Sequence, residues 1–310
     1  MKILICDNLN LQVLDELSEI GDCTDISNSP SKSKDLIKYI KDSEIIVIRS
    51  ATKLTKEILL NAKKLKIIAR CGVGVDNIDL EFAKSNKISV TNSPAANIIS
   101  VVELTVALII NAARKISLAD THVKNGEWDK SEFSGVELYG KKLGIIGFGK
   151  AGRLVAQRMK SFGMSVIFYD PYVVDWDGPE EKKELDELLQ ISDVVSIHVI
   201  KTKETENLIS KDRLDLLKEN SIIINTSRGD VLDEAYLFEL LKLKKIYGAG
   251  LDVYSSEPPQ NIETFKNINI ITTPHIGAST FEAQLKAGMD IVDNIKKMLS
   301  GDNSVEIQHF

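Results

Sequence analysis

The sequence predicts an α/β protein of two doubly wound parallel-sheet domains, and three observations carry that reading. Short apolar runs of strand length alternate with helical runs along nearly the whole chain, the pattern of parallel sheets covered on both faces. One apolar run ends in Gly147-x-Gly149-x-x-Gly152, and a helical pattern begins at once. The 310 residues, 43% of them apolar, are enough to build two separate cores.

In the first part of the chain, apolar runs at 3–6, 45–48, 65–69 and 88–91 read as strands. Helical periods at 11–19, 33–41, 56–62 and 80–85 read as the helices between them. Polar residues punctuate the strand ends, at Arg49-Ser50 and at Arg70-Cys71-Gly72-Val73-Gly74-Val75-Asp76. Open α/β sheets bind ligands outside the carboxyl ends of their strands, so both loops are candidate binding loops. Gly72 and Gly74 leave backbone amides open to a small anion. Asn92-Ser93-Pro94-Ala95-Ala96-Asn97 then opens a long helix, from Ile98 to about Lys115. That helix is apolar almost all round, which predicts burial between domains or subunits. Residues 120–139, with Trp128 and Phe133, show no clear period and read as a functional loop or a projecting arm.

The glycine-rich stretch follows a strand at 143–146. Gly147 makes the turn, Gly149 lets the backbone approach a pyrophosphate, and Gly152 lets the helix pack on its strand. The first amides of that helix face the phosphates, where the helix dipole favours negative charge. A second strand, Ser165–Tyr169, ends on Asp170, close to the roughly 20-residue spacing of a carboxylate that holds a ribose 2′-hydroxyl. Further strands at 194–197, 222–225, 248–251 and 269–272 bring the count to the six of a Rossmann sheet. A last helix is expected over 280–299. The predicted division is residues 1–98 plus 285–310 as a substrate domain and 99–284 as a dinucleotide domain, with a ligand cleft between them.

Composition narrows the partners. A net charge of −6 with dispersed lysines argues against a nucleic-acid surface. No apolar run reaches the roughly 20 residues of a membrane span, and the opening apolar run is too short for a signal peptide. Cys6, Cys23 and Cys71 are odd in number and unclustered, which predicts a reducing cytoplasm, no disulfide framework and no metal site.

Chemically useful residues gather at the carboxyl ends of the later strands. These are His198, Asn225-Thr226-Ser227-Arg228-Gly229, Asp252 with Glu257, and Thr273-Pro274-His275-Ile276-Gly277. Hydride transfer from an alcohol to a nicotinamide needs a base for the hydroxyl proton, and imidazole, with a reference pKa of about 6.5, suits that task. A carboxylate on its other nitrogen fixes the tautomer, and a guanidinium can hold a substrate carboxylate bidentately. His275, Glu257 and Arg228 match these three requirements. His309 is terminal and His122 lies in the polar stretch, so the base is His275 or His198.

Taken together, Arg49-Ser50-Ala51-Thr52, Gly72-Val73-Gly74-Val75-Asp76-Asn77-Ile78-Asp79, the glycines at 147–152, Asn225 to Gly229, Asp252 with Glu257-Pro258-Pro259, and Pro274-His275-Ile276-Gly277-Ala278 resemble the D-isomer-specific 2-hydroxyacid dehydrogenase family. The resemblance covers nearly the whole chain. It implies a flavodoxin-like substrate domain beside a Rossmann NAD domain, and the apolar helix from Ile98 to Lys115 with the arm after it suggests a homodimer built on the latter. It implies His275 as acid and base, Glu257 as its partner and Arg228 as substrate clamp. Asp252 is expected near the carboxamide, and Gly147, Gly149, Lys150, Ala151, Gly152 and Asp170 on the rest of NAD. Val199, Thr226, Ser227, Gly277 and Ala278 would line the cofactor, with His198 a cofactor-side residue. Val73 and Gly74 would touch substrate or nicotinamide, and Ser50, Gly72 and Asn97 would join Arg49 and Arg70 around the substrate.

The stretches at Arg49–Thr52, Arg70 and Asn92–Asn97 match most closely the members that act on a phosphorylated acid. They imply oxidation of the 2-hydroxyl of 3-phospho-D-glycerate by NAD to 3-phosphohydroxypyruvate, the entry step to serine. The alternative activity is reduction of glyoxylate, hydroxypyruvate or another 2-keto acid. The alternative outside catalysis is an NAD-gated binding protein. Long members carry a C-terminal regulatory domain, which this sequence is expected to lack. Ile200 and Lys203 stand where the family usually has prolines, and Cys71 where a small apolar residue is commoner.

Overall fold

The computed structural model describes residues 1–260, 262–266, 268–302, 304 and 305, so His309 lies outside the described residues. The chain divides into two units, Met1–Asn97 with Ala278–Phe310 and Ile98–Gly277. The second crossing point falls before the last helix, Phe281–Leu299, instead of inside it as predicted. The physical reason is that this helix is continuous from its cap: Thr280 accepts a hydrogen bond from the amide of Ala283, and Ala283, Ala287 and Ile291 are buried along one face.

The first unit holds β1 (Lys2–Ile5), α1 (Leu11–Ile20), β2 (Asp22–Asp25), α2 (Lys32–Ile40), β3 (Ile45–Ile48), α3 (Lys56–Leu59), β4 (Ile67–Arg70), α4 (Leu80–Ser85) and β5 (Ser89–Asn92). Its sheet is all parallel in the order β2-β1-β3-β4-β5, the flavodoxin-like winding. β3 is buried at all four positions, which explains its unbroken apolar run. β2 was not predicted. Its sequence Asp-Cys-Thr-Asp has no apolar alternation, and it pairs at the sheet edge with only Cys23 packed on the core beside it. One face of the sheet packs Ile3, Ile5, Ile45 and Val47 against Val13 and Leu17 of α1 and Ile291 and Ile295 of the last helix. Gly288 permits that approach, since a Cβ there would lie 2.4 Å from Val13.

The second unit opens with α5 (Ile98–Arg114) and α6 (Ile116–Lys124), followed by a turn of 3₁₀ helix at Ser131–Phe133. It continues with β6 (Lys142–Ile146), α7 (Lys150–Lys160), β7 (Ser165–Tyr169), β8 (Glu181–Lys182), α8 (Leu185–Ile191), β9 (Val194–Ile197), α9 (Lys211–Leu214), β10 (Ile222–Asn225), α10 (Glu234–Lys242), β11 (Gly248–Leu251) and β12 (Ile270–Thr272). The parallel sheet runs β12-β11-β10-β9-β6-β7-β8, a Rossmann order. It has seven strands where six were predicted, because β8 is a two-residue exposed edge with no apolar signal.

Two expectations for this unit need correction. The stretch at 120–139 is not wholly irregular, since the last five residues of α6 and the 3₁₀ turn at Ser131–Phe133 lie in it. α6 buries none of its residues, so it lacks the apolar stripe by which helices are recognised. His122 closes the stretch locally: its Nδ1 lies 2.6 Å from Glu127, its Nε2 2.9 Å from the amide of Asp129, and its ring packs edge-on against Phe133. α5 itself is buried on one face, through Val102, Thr105, Leu108, Ile109, Ala112 and Ala113, against β6 and α7 side chains such as Ile145, Val155 and Met159.

Candidate active site

The glycine turn is built as its sequence demands. Gly147 has φ of +91°, and its amide donates to the carbonyl of Tyr169 at 2.8 Å. A Cβ on Gly147 would lie 2.7 Å from the carbonyl oxygen of His198, so β6 and β9 close together at the topological switch point. Gly152 lies under the turn, where a Cβ would come within 2.3 Å of the Gly147 carbonyl. Gly149 faces open space and is followed by Lys150 and Ala151 in the first turn of α7. Asp170 braces this loop: its carboxylate accepts from the amides of Phe148 at 2.8 Å and Tyr172 at 2.9 Å.

His198 begins the loop after β9. Its Nε2 lies 2.8 Å from the Ser196 hydroxyl, and burial lowers its pKa to about 4. The ring is therefore neutral at ordinary pH. Since the folded pKa lies below the reference value of about 6.5, the unfolded chain binds a proton first as pH falls. The cost grows between pH 6.5 and 4 and reaches about 3 kcal/mol. Denaturant unfolding at pH 7 and pH 4.5 checks this: His198→Asn is expected to lose about 2 kcal/mol less than the natural protein across that interval. The loop beyond has no prolines and is held by threonines instead. Thr205 donates to the Ile200 carbonyl at 2.6 Å and accepts from the Thr202 amide at 2.7 Å.

Asn225 ends β10 and shapes the turn that carries Arg228. Its side-chain oxygen accepts from the amide of Ser227 at 3.0 Å and the Ser227 hydroxyl at 2.9 Å, and its amide group donates to the Arg228 carbonyl at 2.8 Å. Thr226 turns inward, its hydroxyl 2.9 Å from that of Thr105. The Arg228 guanidinium donates to the Ser227 carbonyl at 2.7 Å.

Asp252, 1% exposed at the end of β11, organises the histidine loop. Its carboxylate accepts from the Thr273 hydroxyl at 2.6 Å and from the amides of Ile276 and Gly277 at 2.8 Å each. Ser100 adds a hydrogen bond to the Gly277 carbonyl at 2.6 Å. His275 stands inside this grip with φ of +53°, a left-handed conformation that costs a non-glycine residue about 1 kcal/mol or more. Its Nδ1 lies 2.7 Å from Glu257 Oε2, while Glu257 Oε1 accepts from the amide of Tyr254 at 3.2 Å. Burial raises the pKa of Glu257, but His275, the Tyr254 amide and the nearby Arg228 charge outweigh it and hold the carboxyl below its usual value. The second unit thus brings His275, Glu257 and Arg228 into one electrostatic group.

The first unit presents its own polar set at the carboxyl ends of β1, β3 and β4. Asp7, buried after β1, accepts from the Arg49 amide at 2.6 Å, the Thr52 hydroxyl at 2.8 Å and Lys32 at 2.5 Å. Burial raises its pKa, and the bonds to Lys32, Arg49 and Thr52 bring it net below the usual carboxylate range. Asn77 pins the same loop by donating to the Arg49 carbonyl at 2.7 Å and the Thr52 carbonyl at 2.6 Å. Arg49 and Arg70 are half-buried and Ser50 is exposed. Gly72 (φ +139°) makes room for a side chain as well as for an amide: a Cβ there would lie 1.7 Å from the Arg70 guanidinium. Asn92 ties down Val73 through its carbonyl at 2.6 Å, and Gly74, Asn97 and Ala278 are half-buried. Asp7 and Asn77 were not singled out from the sequence as site residues. A charged residue directly after the apolar run of β1 was the signal that could have marked Asp7.

Among the described residues no cluster of three or more His, Cys, Asp or Glu side chains could hold a metal ion, and no helix is long and apolar enough to cross a membrane.

Residues 106–277 match the D-isomer specific 2-hydroxyacid dehydrogenase NAD binding domain, and the chain belongs to that family. It is similar to D-3-phosphoglycerate dehydrogenase of Methanocaldococcus jannaschii, at 44% identity over 97% of this chain and 58% of that protein. The chain therefore spans a little over half the length of that relative. It is also similar to hydroxypyruvate reductase of Thermotoga maritima, at 43% identity over 89% of this chain and 91% of that one. Among solved structures, D-lactate dehydrogenase from Aquifex aeolicus complexed with NAD and lactic acid superposes with a TM-score of 0.85 at 30% identity over 99% of both chains.

Proposed function

We propose that this chain oxidises the 2-hydroxyl of 3-phospho-D-glycerate with NAD, giving 3-phosphohydroxypyruvate. The observation that carries the chemistry is the 2.7 Å contact between His275 Nδ1 and Glu257. With Glu257 ionised, Nδ1 carries the proton and Nε2 is left as the basic nitrogen. Nε2 then takes the substrate hydroxyl proton, and Glu257 stabilises the imidazolium that forms. NAD held at the glycine turn and Asp170 would supply the hydride acceptor for the substrate carbon that bears this hydroxyl. Arg228 holds the substrate carboxylate and polarises the oxygen that becomes the ketone.

The cofactor fits the second unit. The open space at Gly149 would be filled by any side chain, and the exposed first turn of α7 offers free amides for a pyrophosphate. Asp170 would accept from a ribose hydroxyl and repel a 2′-phosphate, and Pro171 and Tyr172 after it bring no cation. The expected result is strong preference for NAD over NADP, relaxed about ten- to a hundred-fold in Asp170→Ala, as for loss of a charged hydrogen bond. Comparing kcat/KM for the two cofactors checks it, and equal use of both by the natural protein would contradict it.

The phosphate is assigned to Arg49 and Arg70 of the first unit, at the ends of β3 and β4. A charged hydrogen bond contributes about 1.5–3 kcal/mol, so replacing either with alanine should raise KM for phosphoglycerate roughly ten- to a hundred-fold, and less for an unphosphorylated 2-hydroxy acid. Equal effects on both would assign the arginines to the carboxylate. A second reading, reduction of hydroxypyruvate, is favoured by the likeness to the Thermotoga maritima reductase across 91% of that protein. The same side-by-side kinetics separate the two. We further propose a cytoplasmic homodimer joined through the NAD unit, supported by exposed Ile99, Ile116, Leu118 and Trp128 along α5, α6 and the stretch after them.

A further inference from the structure

Glu257 does not hold itself in place: it lies on an exposed turn, and the groups that fix this turn come from another element. We infer that Glu234, the first residue of α10, is a positioning residue that sets Glu257 against His275 by clamping Ser255.

The clamp uses both oxygens of one carboxylate. Glu234 Oε1 accepts from the Ser255 amide at 2.6 Å, and Oε2 accepts from the Ser255 hydroxyl at 3.1 Å. Asp233 caps α10 through the amide of Tyr236, so Glu234 starts from a fixed helix end. On the other side the turn lies directly on Gly229: a Cβ there would come within 1.8 Å of the Tyr254 carbonyl carbon and 2.3 Å of the Ser255 amide. The turn is thus held between Gly229, which follows Arg228, and Glu234. From that fixed turn the Tyr254 amide holds one oxygen of Glu257 and His275 holds the other.

The clamp carries an electrostatic cost, which argues against a passive helix-end carboxylate. Burial raises the pKa of Glu234, the Ser255 bonds lower it, and the charges of Asp230 and Glu257 raise it further, with a net rise. Asp230 is partly offset by Lys201, with which it pairs. A half-buried carboxylate near the charges of Asp230 and Glu257 is a costly way to meet solvent. It serves well as a two-oxygen brace for a turn whose next charged residue must stay within 2.7 Å of an imidazole.

This inference rests on the proposed His275–Glu257 chemistry, and its test has one arm that does not need turnover. Crystal structures of the natural protein and Glu234→Ala should show the Glu257–His275 contact intact in the first and broken in the second, with the sheet unchanged. Retention of that contact in Glu234→Ala overturns the inference, whatever the substrate proves to be. In kinetics, Glu234→Ala should lower kcat about tenfold or more, as misplacement of a reacting group does, with KM for NAD unchanged. Glu234→Gln, which keeps an acceptor for the Ser255 amide, should recover most of the loss. Adding Glu234→Ala to Glu257→Gln should cost nothing more, because both changes break one linkage. The same fold-loss in both backgrounds would show that Glu234 acts independently of Glu257. Should Glu234→Ala not fold, Glu234→Asp decides: one methylene shorter, it cannot hold both Ser255 groups and is expected to be slow, and natural kcat in it counts against the clamp. Absence of turnover with any 2-hydroxy acid in the natural protein would fail the functional reading and leave the crystallographic arm standing.

Discussion

Replacing His275 with alanine is expected to lower kcat by about 10²–10⁴-fold, the range that a positioned acid–base group contributes. Affinity for NAD should stay near that of the natural protein. The two effects separate because the groups that hold the cofactor are built independently of the histidine loop. The glycine turn is fixed by the Gly147–Tyr169 hydrogen bond and by Asp170 on the amide of Phe148, and neither touches residues 273–277. The loop itself should keep its shape, since Asp252 grips Thr273, Ile276 and Gly277 and not the imidazole. Alanine at position 275 still has to adopt φ of +53°, so the loop keeps its strain and loses only the ring. Single-turnover kinetics and NAD titration by fluorescence check both halves. Near-normal turnover would remove His275 from the chemistry. His198, neutral and held by Ser196, would then be the base to examine.

Arg228→Lys is expected to lower kcat/KM by about 10²–10³-fold, although the charge is conserved. Lysine offers a point charge where the substrate carboxylate and the forming ketone need two fixed donors, and removing one preorganised donor to a developing charge costs on this order. Arg228 also contributes to keeping Glu257 ionised, and a cationic lysine would largely retain that. The loss should therefore appear mainly in substrate steps and leave the acid limb of the pH profile in place. Arg228→Ala should lose at least as much and should also move that limb upward, because Glu257 loses a charge that holds its pKa down. Profiles of kcat/KM against pH for the two variants distinguish these outcomes. Equal profiles would mean that the guanidinium has no part in the Glu257 environment.

Much of this was legible in the sequence because the legible parts are dominated by burial or by backbone geometry. β3, β9 and β10 are buried at every position, and their apolar runs mark their bounds without ambiguity. Gly147 and Gly152 are required by a left-handed φ and a close backbone approach, which leave few other residues possible. The missed elements are those that sequence patterns do not encode. β2 and β8 are edge strands held by main-chain bonds, and α6 buries no side chain. At the site, His275, Glu257 and Arg228 could be matched to chemical needs one by one. Their supports could not, because Asp7, Asn77 and Glu234 act on backbone groups distant in sequence, and Asp252, expected beside the cofactor, braces the histidine loop in the same way. Asp7 reaches a loop 42 residues away, and nothing in local spacing predicts that contact.

The central claim is that the chain is an NAD-dependent dehydrogenase acting on a phosphorylated D-2-hydroxy acid. Its most direct test is NADH formation by the purified protein with 3-phospho-D-glycerate and with D-glycerate, run side by side and matched by the reverse reaction on hydroxypyruvate. The account predicts a kcat/KM at least ten-fold higher for the phosphorylated acid, from the charged hydrogen bonds assigned to Arg49 and Arg70. Equal or greater efficiency with the unphosphorylated acids would contradict the phosphate assignment and establish the reductase reading in its place.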